Sequence, residues 1–285
     1  MSYTEEMIPG SPLRLRKHNP GFWQVTIDAP PLNLFGPDML DGLEQLANQM
    51  QRTPELRVIV FDSAVEEFFI AHFDVNRGGE VLQRKTASGV PPWLNIAMLL
   101  HESPVISIAC IRGRTRGVGV EFSAACDLRF ASELAVFGQI EVGLSTIPGG
   151  GSMEFLPLLI GRARALELIV GSEDIDAATA EKYGLINRLV PDAQLNEFVY
   201  NLAMRISQFD PVITGQAKTM INKRSPKPSL DDMVFSRTAF IQANLRPERK
   251  RVAQRMQDWG IQQYSDFELN MGAYLNHIGK DEHSL

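Results

Sequence analysis

The chain has 285 residues, 44% of them hydrophobic, 22% charged and 8% aromatic, which suits one large domain or a core with an appendage. A formal charge of −6 and a pI near 5.5 exclude a broadly basic surface and argue against nucleic acid or an anionic membrane as partner. No apolar run reaches the roughly eighteen residues a membrane helix needs, and Met1–Gly10 has no basic start before an apolar stretch, so neither a transmembrane helix nor a signal peptide is expected.

Up to about residue 140, short apolar runs alternate with helical patterns. Phe22–Ile27 (FWQVTI) reads as a strand rich in β-branched and aromatic residues. From Asp38 to Arg52, Met39, Leu40, Leu43, Leu46, Ala47 and Met50 share one helical face. Arg57–Asp62 is a buried strand, Leu94–Leu100 a helix and Pro104–Ile111 a strand again. This rhythm implies an α/β core with crossover connections. Past Gly149 helices take over: Met153–Ile160, Arg162–Val170, Asp176–Tyr183 behind an acidic cap, Gln194–Gln208, Val212–Lys223, Leu230–Ala243 and Glu248–Trp259. The basic run Asn244–Arg251 (NLRPERKR) reads as a solvated helix face, with a ligand site as the competing reading. Cys110 and Cys126 lie in apolar surroundings and read as small core residues. The five histidines, at 18, 72, 101, 277 and 283, have no metal-ligand spacing, so no metal is expected. Together these traits predict a cytoplasmic protein.

Two glutamates break this pattern. Glu121 is the only charge in Gly117–Cys126 (GVGVEFSAAC), and Glu141 the only one in Val136–Leu144 (VFGQIEVGL). A lone carboxylate in a core segment costs several kcal/mol unless it is paired, hydrogen-bonded or protonated. Burial raises its pKa toward the range where it can move protons at neutral pH. The competing reading is a structural ion pair, with Arg114 or Arg116 as partner. Two glycine-rich turns lie nearby, each leading into an apolar helix: Gly113–Gly119 (GRTRGVG) and Ile147–Ser152 (IPGGGS). A helix start of this kind offers backbone N–H groups to a carbonyl oxygen. Neither turn is a dinucleotide or Walker fingerprint. Ser152 is not in a nucleophile elbow. In Phe68–Asp74 (FFIAHFD), His72 interrupts an apolar strand end; read alone, it is a satisfied structural histidine.

Taken together and in order, these segments resemble the enoyl-CoA hydratase/isomerase (crotonase) superfamily from about Trp23 to Lys223. Phe69–Asp74 fits the family segment around the first oxyanion donor, and Gly113–Asp127 fits N-G-x-A-x-G-G-G-x-E ahead of C-D. Phe137–Gly151 fits F-x-x-P-E leading to P-G-x-G, while Gly161–Leu166 and Ala177–Pro191 fit the helices that follow. The resemblance implies a spiral of ββα repeats over residues 1–205 and a C-terminal helical region, 206–285, that mediates assembly into a homotrimer or dimer of trimers. It implies an acyl-CoA substrate, with coenzyme A as part of that substrate and no separate cofactor, and a place in fatty acid metabolism. By position the oxyanion donors would be the backbone N–H groups of Phe73 and Val118, and the catalytic pair Glu121 and Glu141. Substrate contacts would fall to Leu32, Ala71, His72, Asp74, Gly117 and Gly149, with Ala71 and Leu32 near the adenine and Gly149 beside the reacting carbons. Phe35, Phe68, Phe73, Leu94 and the helical tail would shape the acyl pocket.

Keeping both glutamates points to addition of water across a 2-enoyl-CoA. The alternatives are other acyl-CoA enolate chemistry (isomerase, decarboxylase, dehalogenase or thioester hydrolase) and a non-catalytic scaffold of the same fold. Three departures stand out: His72 where a glycine is usual, arginines in the Gly113 loop, and no family-type C-terminal ending. That ending normally supplies a lysine for the CoA phosphates; Lys250, Arg251 and Arg255 are the candidates here.

Overall fold

The structure, a computed structural model, describes residues 5–279. Its strands are β1 (Glu5–Met7), β2 (Leu13–Asn19), β3 (Phe22–Ile27), β4 (Val58–Ser63), β5 (Phe68–Ile70), β6 (Ile106–Ile111), β7 (Arg114–Arg116), β8 (Leu128–Ser132), β9 (Val136–Gly138), β10 (Asp174–Asp176) and β11 (Arg188–Val190). The helices are α1 (Pro37–Gln51), α2 (Gly78–Leu82), α3 (Pro92–Glu102), α4 (Val118–Ala125), α5 (Ser152–Ile160), α6 (Arg162–Gly171), α7 (Ala177–Tyr183), α8 (Asp192–Ser207), α9 (Pro211–Asn222), α10 (Leu230–Asn244), α11 (Pro247–Asp258), α12 (Asp266–Leu269) and α13 (Met271–Leu275).

The strands form two sheets, a larger one in the order β1-β2-β3-β4-β6-β8-β11 and a smaller one in the order β10-β9-β7-β5. From β3 onward the large sheet is parallel, as is the β5-β7-β9 part of the small one. The chain therefore winds as a spiral. Each turn lays one strand in the large sheet (β4, β6, β8), the next in the small sheet (β5, β7, β9), and then returns through helix. Val58, Val60, Ile108, Cys110 and Phe130 face Leu195, Val199 and Ala203 of α8, and the main core fills the space between the sheets and α1, α3, α4 and α5.

The elements expected from periodicity are present, including α7, whose N-cap Asp176 accepts a hydrogen bond from the Thr179 N–H. The helical reading after Gly149 needs correcting, because β10 and β11 interrupt it. Among the described residues no strand follows β11, and no helix is long and apolar enough to cross a membrane. Helices α11–α13 carry their own apolar cluster: Val252, Met256, Ile261, Phe267, Met271 and Leu275 close around Ile140 and Leu144. This tail thus grips the loop that holds Glu141.

Candidate active site

The parallel strands of the small sheet end side by side, and ligands of such sheets gather outside their carboxyl ends. β5 runs out toward Phe73, β7 into Gly117 and Val118, and β9 into the Glu141 loop. Gly119 lets these ends converge: a Cβ there would lie 2.5 Å from the Ile70 carbonyl oxygen, so only glycine allows α4 to start against β5. Gly117, at φ 51°, supplies the left-handed turn into the helix. Its own Cβ would lie 2.7 Å from Glu141 Oε1, so this turn also makes room for the carboxyl.

Among the described residues, neither the Phe73 N–H nor the Val118 N–H donates to a protein acceptor. The Phe73 peptide is fixed from its other side, since Asp74 N–H donates to Phe35 O and His72 Nδ1 bonds Phe73 O at 2.8 Å. Val118 is the first residue of α4, where N–H groups have no partner within the helix.

Phe73, Val118, Glu121, Glu141 and Gly149 line one cavity of about 40 Å³, with Phe35, Val81, Trp93, Gly150, Arg237 and Phe240. Glu121 is 3% exposed. Its Oε1 accepts from Gly150 N–H at 2.7 Å, Ser152 Oγ at 3.0 Å and Ser152 N–H at 3.4 Å. Burial nevertheless outweighs these donors and raises its pKa. Trp93, stacked on Phe122, donates from Nε1 to Gly150 O at 2.8 Å and so steadies the residue whose N–H holds Glu121. Glu141 keeps part of its surface accessible and accepts from Gln139 Nε2 at 2.8 Å. Burial first, and the neighbouring Glu121 second, push its pKa up to about 8. Glu141 is thus poised to exchange a proton near neutral pH.

The ion-pair reading of these glutamates fails. Arg116 bonds Asp174 at 2.6 Å and 2.7 Å and the Glu268 carbonyl, and Arg114 bonds the Leu269 carbonyl. Neither glutamate forms a salt bridge among the described residues.

Several residues expected to touch substrate do not line this cavity. Leu32 and Ala71 are fully buried, joined by Ala71 N–H to Leu32 O and packed with Phe68 against Leu269 of the tail. His72 is 4% exposed and its Nε2 bonds Glu268 at 2.9 Å, so its side chain ties the tail to β5 and does not reach the cavity. Burial would lower the His72 pKa, but the Glu268 carboxylate prevails and raises it. Asp74 caps its own loop through Asn76 and Arg77 N–H and accepts from Gln262 of the tail. Leu94 and Phe68 are core residues outside the cavity. Beside Gly149 stands Phe240, whose Cβ would lie 2.6 Å from an added methyl. Arg255 serves the tail, donating to His277 O and Ile278 O, while Lys250 and Arg251 are exposed. His283 lies outside the described residues.

The tail contributes two cavity residues that sequence reasoning missed, Arg237 and Phe240 of α10. A signal was present: Met233, Arg237, Phe240 and Asn244 recur at helical spacing, and an arginine on that stripe is the anomaly.

Residues 17–258 match the enoyl-CoA hydratase/isomerase family. The chain is 31% identical over 205 residues to a short-chain-enoyl-CoA hydratase of Clostridium acetobutylicum, covering 70% of this chain and 77% of that one. It is 30% identical over 235 residues to the candidate enoyl-CoA hydratase/isomerase YngF of Bacillus subtilis, covering 82% and 90%. A crystal structure of a candidate enoyl-CoA hydratase from Streptomyces avermitilis superposes with a TM-score of 0.87 at 35% identity, covering 97% of this chain and 98% of that one. With that likeness the spiral is identified as the crotonase fold, and the chain belongs to the enoyl-CoA hydratase/isomerase family.

Proposed function

We propose that this protein adds water across the double bond of a 2-enoyl-CoA thioester. The observation that carries this reading is two carboxyl groups of raised pKa lining one small cavity together with two unpartnered backbone N–H groups. The cavity, about 40 Å³, exceeds the roughly 10–15 Å³ needed to hold a water. In this scheme the thioester oxygen accepts from Phe73 and Val118 N–H, which stabilise the enolate by about 3–4 kcal/mol per donor. Glu121 takes a proton from the water as its oxygen bonds to Cβ. The double-bond electrons move onto the thioester oxygen, and Cα then takes a proton from Glu141. Transfer of the proton from Glu121 to Glu141 restores the pair. A pKa of about 8 leaves Glu141 mostly protonated at neutral pH, as a proton donor requires.

Crotonyl-CoA in isotopically labelled water should gain the label at Cβ and solvent hydrogen at Cα. Glu121→Gln and Glu141→Gln should each lower kcat by about 10²–10⁴-fold. Full activity in both variants, or β,γ-enoyl isomerisation without hydration, rejects the assignment. We also propose that copies associate as trimers. An apolar groove of about 950 Å³ exposes Leu158, Phe209, Ile213 and Ile221 and gives such a contact its surface; sedimentation as a monomer rejects it.

A further inference from the structure

Arginine side chains buried in this protein are fully employed, with one exception. Arg116, 0% exposed, serves Asp174 and two tail carbonyls, and Arg129, 5% exposed, serves Leu185, Ser123 and Cys126 carbonyls. Lys218 is likewise held by Leu100 O, Val105 O and Asp127. Arg237 is 7% exposed and lines the cavity of the two glutamates, yet its Nε is buried without an acceptor. Among the described residues its guanidinium has no hydrogen bond and no ion pair within 4.0 Å. Glu121 shares the cavity and attracts it, but Glu121 Oε1 is already taken by Gly150 and Ser152.

A lone buried cation costs several kcal/mol. Among the described residues Glu121 offsets that cost only through space, and no acceptor bonds the guanidinium. α10 is held in place without it, by Met233 in the main core, Ser236 on Glu154 and Asn244 on Thr146. The partner must therefore come with the ligand, and the planar fork of a guanidinium matches two-oxygen anions best. The phosphates of coenzyme A sit at the far end of the pantetheine arm from the thioester, whereas Arg237 stands in the chamber where the acyl carbons react. The remaining side chains of the lining, Phe35, Val81, Trp93 and Phe240, are apolar and offer Arg237 no acceptor. We infer that Arg237 receives a carboxylate at the distal end of the acyl group, so that the substrates are CoA monothioesters of short dicarboxylic acids. This rests on the acyl-CoA reading of the site given above.

The test separates binding from turnover. Glutaryl-CoA and pentanoyl-CoA share a five-carbon chain, cannot be hydrated, and differ at the distal carboxylate. By titration calorimetry the wild-type protein should bind glutaryl-CoA about 10- to 150-fold more tightly, the range for a charge-assisted hydrogen bond. In Arg237→Met that ratio should fall to about one, and in Arg237→Lys to an intermediate value. The Arg237→Met variant should melt no lower than the wild type, because a lone buried charge is replaced by a side chain suited to the core. Equal binding of the two thioesters by the wild type, or an unchanged ratio in Arg237→Met, overturns the inference. If Arg237→Met does not fold, the Arg237→Lys ratio decides. A glutaryl preference with no hydration of glutaconyl-CoA or crotonyl-CoA removes the hydratase reading and leaves Arg237 as assigned. Hydration of crotonyl-CoA without a glutaryl preference removes only the role of Arg237.

Discussion

Replacing Glu141 by glutamine keeps the shape of the side chain and its hydrogen bond with Gln139 but removes a carboxyl whose pKa is pushed from 4.5 to about 8. Because the folded protein holds that proton more tightly than the unfolded chain, its stabilising contribution is complete below pH 4.5 and fades as the pH climbs to about 8. At about 1.36 kcal/mol per pH unit, the whole interval is worth at most roughly 5 kcal/mol. Glu141 keeps part of its surface accessible, and solvent screening reduces the figure to about 2–3 kcal/mol. Urea melts of wild type and Glu141→Gln at pH 5, 7 and 9 should therefore diverge, the variant gaining on the wild type by that amount as pH rises. Parallel stability curves would mean that the Glu141 carboxyl titrates as it does in water, and the proton-donor role assigned to it would have no physical basis.

Two further outcomes follow from close contacts. In Gly150→Ala the new methyl would stand 2.0 Å from Glu121 Oε2 and 2.8 Å from Trp93 Nε1; we expect kcat to drop at least about 100-fold with a stability loss of about 1–3 kcal/mol, measured by enoyl-CoA hydration and thermal melting. Glu268→Ala leaves His72 buried without its partner, costing about 3–5 kcal/mol; limited proteolysis should then cleave between α11 and α13 first, and a tail as resistant as that of the wild type would show that this pair does not anchor it.

Much of the molecule was readable from residue order because its signals are local. The β-branched run of β3, the single apolar face of α1 and the Asp176 cap of α7 each declare themselves within a few residues. Glu121 and Glu141 are legible for the same reason, as single charges in apolar runs. β2 was missed because its buried Leu13 and Leu15 alternate with basic residues. The three-residue strands β7, β9, β10 and β11 exist only through their pairing partners. Glu268 and Arg237 escaped because what gives each its meaning, His72 for one and the glutamate cavity for the other, lies far away in the chain. His72 was read two ways, and the structural one describes its side chain. The family pattern did not single out Arg237, Phe240 or Glu268, since the ending it expects is absent.

Cys110 and Cys126 are both free, 3% exposed, and burial pushes their thiols up to about 12. At physiological pH almost no sulfur on this protein is therefore ionised. Activated acyl esters exchange readily onto a nearby thiolate, so a catalyst that dwells on them risks acylating itself and losing its cargo. A thioester brought to this chain would meet no readily ionised sulfur of the protein's own.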